Sequence, residues 1–349
     1  MLNHKIMRFP RLKDDVGIPV CNIKAKSVKW LWPHRIPLGK LTILDGDPDV
    51  GKSLVSVDLA ACVSAGRALP DGAESLPGNV IIISAEDDAA DTIRPRLEAA
   101  GANLTRVTVI DMIRDRDGGE RSFEIPGDLD RLEKEIRDRQ AVLVIIDPLM
   151  AFLPLKVNSW RDQDVRRALA PLAKLAERTG AAILIIRHLN KKENTRAIYR
   201  GGGSIGIIGA ARSGLLIAPD PEDPEIRVLA SMKANLSRRR PSLAFRIVET
   251  TIEGLEGTIP KVKWLGNVEA SAESLLNSEG NPRTSAVEFL QRTLRSGPMS
   301  AEKVKELARE SGIAPRTLDR AKVQLNIEAC KKGFGDEGYW VWSLEKGRK

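Results

Sequence analysis

The sequence predicts an α/β protein: a mostly parallel central sheet covered by helices on both faces, followed by a small helical domain. Two observations carry this. Short apolar runs fall at 41–45, 79–84, 106–110, 141–146, 181–187, 213–218 and 226–232, and helical patterns at 52–65, 88–100, 128–139 and 162–178. Strands that alternate with helices in this way pair in parallel through crossover helices. Runs such as Val142-Leu143-Val144-Ile145-Ile146 are apolar throughout, as strands buried on both faces are. The second observation is a phosphate-binding loop at 46–53, set between the first strand and the first helix.

That loop reads Gly46-Asp47-Pro48-Asp49-Val50-Gly51-Lys52-Ser53, the complete G-x-x-x-x-G-K-S pattern, with Leu54 opening the helix behind it. Successive backbone N–H groups and a helix start make an anion nest. Lys52 meets the β/γ-phosphates, and Ser53 can ligate Mg²⁺. The chain is expected to bind ATP with Mg²⁺. The strand at 79–84 ends in Ser84-Ala85-Glu86-Asp87-Asp88. Ligand contacts lie at the carboxyl ends of such strands, so Glu86 can polarise an attacking water, while Asp87 and Asp88 suit a helix N-terminus. The strand at 141–146 ends in Asp147-Pro148, where a carboxylate would hold the metal shell opposite Ser53. The strand at 181–187 leads into His188, a γ-phosphate contact or a structural imidazole. Gly201-Gly202-Gly203 then marks a loop that moves or approaches another backbone closely.

Charge divides unevenly. The net charge is +8, yet residues 1–35 hold eight Lys/Arg against two Asp, and residues 283–349 hold fourteen Lys/Arg against nine Asp/Glu. Basic ends on a slightly acidic centre suit an anionic polymer, or solubility alone. No run of 18 apolar residues exists, the first residues lack a signal-peptide core, and Cys21, Cys62 and Cys330 have no metal spacing. A cytoplasmic protein with no membrane partner is expected.

The domains read as a basic segment at 1–35, an ATPase core at 36–266, a polar linker at 267–283 and a helix-turn-helix domain at 284–349. In the last, Ser285-Ala286-Val287-Glu288 is a capping box. A second helix follows Ser300, a third starts near Pro315, and 331–342 reads as a hairpin wing. On the third helix Leu318, Ala321 and Leu325 share the inner face. Arg316, Thr317, Arg320 and Gln324 share the outer one, which duplex DNA would meet.

The string GDPDVGKS…IIISAEDD…VIIDPLMAF…IIRHLNKK…GGGS…GAARSGLLI, over roughly 30–265, resembles the RecA-like ATPases of the RepA type. These are replicative helicases of plasmids and AAA-annotated ATPases of other mobile elements. The resemblance implies a RecA-like core in a homo-oligomeric, usually hexameric ring, with ATP between subunits and single-stranded DNA in the channel. It implies that Lys52 and Ser53 hold phosphate and metal, that Glu86 is the catalytic glutamate, Asp147 the metal-shell aspartate and His188 the sensor. Arg212 would reach a neighbouring subunit's γ-phosphate, with Lys233 a partner across the same interface. The segments 148–161 and 190–206 would line the channel, offering Lys156, Arg161, Lys191, Lys192, Arg196 and Arg200 to a nucleic-acid backbone. Two departures stand out: Asp49 where relatives carry Gly, and Asn235 where a second basic residue follows Lys233. The expected function is an ATP-driven motor on DNA. The alternatives are a DNA-binding regulator switched by nucleotide, and a scaffold that binds ATP without turning it over.

Overall fold

A computed structural model describes residues 17–115, 117–154, 157–158, 161–189, 205–277, 282–295, 297–311, 313–332 and 339–344. Its centre is a nine-stranded sheet. The strands are β1 (Leu41–Gly46), β2 (Asn79–Ser84), β3 (Val107–Ile110), β4 (Ala141–Asp147) and β5 (Ala182–His188), then β6 (Ser213–Pro219), β7 (Ile226–Ala234), β8 (Ser242–Thr250) and β9 (Ile259–Val268). Their order is β9-β8-β7-β6-β1-β5-β4-β2-β3. From β6 to β3 every pairing is parallel, and from β6 to β9 every pairing is antiparallel. All seven expected strands are present.

Successive side chains on a strand point to opposite faces, and the sheet buries both. Ile81, Ile83, Val144, Ile146, Ile183 and Ile185 form one face. It is covered by α3 (Leu129–Arg139), α4 (Asp162–Thr179) and α6 (Ala272–Asn277). Val80, Ile82, Leu143, Ile145, Leu184 and Ile186 form the other, covered by α1 (Lys52–Ala65) and α2 (Arg94–Ala99). The expected helix at 88–100 begins as a single wide turn, Ala89–Ile93, before α2.

Strands β8 and β9 enlarge the sheet beyond the sequence reading. They are only half buried and carry Arg246, Glu249, Lys261 and Lys263, so their apolar signal is diluted. They curl over α1. Phe245 and Trp264 pack at 5.1 Å between ring centroids, and the Trp264 indole N–H donates to Asp58 of α1 at 2.8 Å. The helix behind the phosphate loop is therefore buried nearly all round.

Three expectations need correction. Segment 267–283 is not simply a linker. It holds the end of β9 and α6, whose Ala272, Leu275 and Leu276 enter the main core at i, i+3, i+4 spacing hidden among polar residues. Helix α7 (Pro282–Leu294) starts before Ser285, so Ser285 lies within the helix and not at its start. Thr317 is 7 % exposed, because the apolar face of its helix is wide enough to take the residue beside Leu318. Arg316, Arg320 and Gln324 are exposed, as expected.

The C-terminal unit comprises α7, α8 (Ala301–Glu310), α9 (Pro315–Gln324) and a three-stranded sheet of Met299–Ser300, Tyr339–Ser343 and Glu328–Lys332. Leu290, Leu318, Ala321 and Trp342 share its separate core. Ser300 caps α8 by accepting from the Lys303 N–H. Between β3 and α3 a short hairpin, Ile113–Arg114 with Glu120–Arg121, fills part of the long segment 111–127.

Leu275→Ala is expected to destabilise the core around the nine-stranded sheet by ~2–5 kcal/mol in denaturant unfolding, since it empties a fully buried site. A wild-type midpoint would return 267–277 to the status of a linker.

Candidate nucleotide site

The carboxyl ends of β1, β2, β4 and β5 converge, and the chain reverses there. After Gly46 the loop turns through Asp49 (φ 63°) and Gly51 (φ 90°), both left-handed, into α1. Asp is among the few side chains that adopt this conformation readily, which is how the loop forms without the usual glycine. Gly46 cannot be replaced: a Cβ there would lie 2.7 Å from the Ile217 carbonyl oxygen and 2.8 Å from Val50 Cγ2.

Lys52 is 5 % exposed, and its Nζ donates to the Asp47 carbonyl at 2.6 Å. Burial pulls its pKa below the usual lysine range, against the fields of Asp147, Asp47, Glu86 and Asp45. Ser53, one residue on, hydrogen-bonds the Asp147 carboxylate, which stands at the end of β4 level with Ser84 of β2. Burial pushes the Asp147 pKa up to about 6. Asp87 and Glu86 add to the rise, and Ser53 and Lys52 oppose it. A buried carboxylate and a hydroxyl, both hard oxygen donors, with further negative charge beside them, fit Mg²⁺ chemically.

His188 ends β5. Its Nε2 lies 3.7 Å from Glu86 Oε1, and its buried Nδ1 has no hydrogen-bond partner among the described residues. Glu86 is 59 % exposed at the side chain, open to a water and a phosphate. Of the two acids expected to cap, Asp88 does so, accepting from Ala90 and Asp91 N–H groups that hold its carboxyl below the usual range. Asp87 instead pairs with Arg96 at 2.8 Å. Lys52, Ser53, Glu86, Asp147 and His188 thus share one end of the sheet.

Arg212 and Lys233 stand at the other end. The residue after Arg212, Ser213, pairs with Thr42, and Lys233 pairs with Gly214. The phosphate loop begins four residues further along β1, ~13 Å away. Arg212 is exposed. Lys233 is engaged: its Nζ donates to the Ile208 carbonyl at 2.7 Å, at the close of α5 (Ile205–Ala210). Burial lowers its pKa, with Arg212 and Arg166 adding repulsion. The register alone explains why the sequence could not reveal this contact.

Lys156, Lys191, Lys192, Arg196 and Arg200 lie outside the described residues, and Arg161 is exposed beside α4. On α9 the Arg320 guanidinium donates to the Glu222 carbonyl in the β6–β7 turn.

One pair went unread in the sequence. Asp45 and Arg187 are 0 % and 1 % exposed, and the guanidinium grips the carboxylate through Nε at 2.7 Å and Nη2 at 2.6 Å. Each follows a mostly apolar run of its strand and stands immediately before Gly46 or His188. The signal becomes legible only when β1 and β5 are known to be neighbours.

The Asp147 carboxyl has an ordinary pKa of 3.8, so between that value and about 6 the folded chain holds a proton the unfolded chain has released. Stability from this group is fully present below 3.8 and lost as pH rises to about 6. Asp147→Asn is therefore expected to be the more stable protein above about pH 6, by at most ~3 kcal/mol, with the advantage closing towards about pH 4. Melting temperatures across that range check it.

Residues 21–194 match the family model described as AAA domain. The DNA repair protein RadA of Halalkalibacterium halodurans is 25% identical over 176 residues, 50% of this chain and 33% of RadA. The chain thus spans about a third of that relative's length. A solved structure of an ATPase domain is 13% identical, covers 60% of this chain and 81% of its own, and superimposes with a TM-score of 0.44. The phosphate loop and the parallel sheet accord with that match, and over residues 21–194 the chain is similar to proteins that carry an AAA domain.

Proposed function

We propose that this protein hydrolyses ATP with Mg²⁺ and uses the energy to act on DNA as a ring-forming motor of the RepA helicase type, from a mobile element. The observation that carries the reading is the split site. Phosphate loop, Glu86, Asp147 and His188 sit at one end of the sheet and Arg212 at the other. A site whose arginine stands at the far end of its own sheet is completed head to tail by a second copy, and repetition closes a ring, a hexamer in this reading.

Glu86 accepts the proton of a water whose oxygen attacks the γ-phosphorus. The bond to the β,γ-bridging oxygen breaks, and ADP keeps the electron pair. Lys52 and the loop N–H groups stabilise negative charge on the phosphates, and the arginine of the next copy adds to this. Ser53 and Asp147 would hold Mg²⁺, which would supply charge neutralisation at the phosphate oxygens. His188, beside Glu86, is the group that registers loss of the γ-phosphate.

DNA as the polymer is supported by the basic ends of the chain, by a relative named a DNA repair protein, and by the exposed Arg316 and Gln324 of α9, read here with Arg320, which would have to leave the Glu222 carbonyl, as a winged-helix recognition face for duplex. The basic residues of 190–204, Lys191, Lys192, Arg196 and Arg200, are assigned to single-stranded DNA in the channel. A second reading, a scaffold that binds ATP without turning it over, is favoured by Asp49, whose carboxylate sits in the phosphate loop where relatives carry Gly.

ATPase activity is expected to rise with single-stranded DNA and to vanish in Lys52→Ala. Glu86→Gln is expected to bind ATP with kcat down at least ~100-fold. Stimulation by duplex alone would favour the regulator, and tight binding without turnover the scaffold. For the divided site, Arg212→Ala and Lys52→Ala proteins, each inactive, are expected to regain turnover when mixed. A mixture that stays inactive removes Arg212 from its neighbour's site.

A further inference from the structure

We propose that Asp45 and Arg187 are a positioning pair for nucleotide turnover: a buried ion pair that fixes the start of the phosphate loop and His188 relative to one another. The inference rests on the ATPase reading and adds to it the device that aligns the site.

The pair lies in the β1–β5 ladder with Asp45 opposite Arg187, and the next rung sets Gly46 opposite His188. Immediately beyond, the Leu189 N–H donates to the Gly46 carbonyl at 3.2 Å. The chain therefore carries the fork one residue before both the phosphate loop and the imidazole that faces Glu86. Neither Asp45 nor Arg187 reaches a surface, so neither can touch substrate.

Strand pairing by itself gives no reason for a charged rung here. The rung before it is Leu44 opposite Ile186, and both are fully buried. Another apolar rung would hold the strands as well. Burying two charges costs several kcal/mol per ion before their attraction returns it, and apolar replacements of buried ion pairs are often neutral or stabilising. A two-bond Arg–carboxylate fork fixes direction as well as distance, which apolar contact does not. Directional precision is what a phosphoryl-transfer site needs, where a 1 Å misplacement can lower the rate ~100-fold. The pair also has an electrical side. Asp45 is among the carboxylates acting on Lys52, and Arg187 neutralises it at its source.

The test uses the full chain, with Asp45→Leu/Arg187→Met as the main variant, because it removes both charges and leaves an apolar rung. Melting temperature, affinity for ATP and steady-state kcat are measured together. The expected result is an unchanged or higher melting temperature, ATP affinity within about threefold of wild type, and kcat reduced about tenfold to a hundredfold. A double variant that melts and hydrolyses like wild type overturns the pair and leaves the ATPase intact. A wild-type protein that hydrolyses no ATP overturns both. Should the double variant fail to fold, Arg187→Lys carries the same test, since it keeps the charge and loses the fork. Reduced kcat at unchanged affinity and melting temperature is expected, and wild-type kcat overturns the proposal.

Discussion

The pairing of β1 with β5 is the contact on which the functional end of this protein depends. Parallel strands deliver their carboxyl ends to the same side, so one register brings the phosphate loop, His188 and the Asp45–Arg187 fork together. The pairings of β5 with β4 and of β4 with β2 then add Asp147 and Glu86 without any further device. A slip of one residue in β5 would turn its side chains to the opposite face and exchange Arg187 for His188 opposite Asp45. The apolar rungs below resist that slip, because Ile183 and Ile185 belong to one core and Leu184 and Ile186 to the other.

A second constraint is how the helix behind the loop is enclosed. A nucleotide-binding helix on an open sheet leaves one side to solvent, whereas here β8 and β9 fold back across α1. Asp58 is drawn into that enclosure, and burial raises its carboxyl pKa against the Trp264 hydrogen bond and Arg67. Cys62, on the same helix, is pushed up to about 11 chiefly by burial, which keeps it an inert thiol. The helix is thus fixed on all sides, and the freedom to adjust at the site falls to the exposed Glu86 side chain.

Much of this was legible because buried parallel strands leave an unbroken apolar record. Val142–Ile146 and Ile183–Ile186 could be read directly, and so could the acids and histidine at their ends. Half-buried strands leave a weaker one, so Arg246 and Lys263 concealed β8 and β9. Three apolar side chains among serines and glutamates concealed α6. The Asp45–Arg187 contact spans 142 residues, and no local pattern encodes a contact of that separation. Lys233 is similar: its sequence position suggests a free cation, and only the register places its ammonium on the last carbonyls of α5.

The two margins of the sheet are unequal. β9 carries Pro260, Lys263 and a register shift opposite Ala244 and Phe245, features that deny a foreign strand a continuous ladder. β3 has none of them. Its Val107-Thr108-Val109-Ile110 run borders an open cleft of about 740 Å³ lined by Arg131, Glu135 and Arg139 of α3. A molecule with one receptive margin can share a backbone ladder with one other molecule and then has no margin left. Backbone pairing through this sheet is therefore favoured at β3 and disfavoured at β9, which limits its growth beyond a pair.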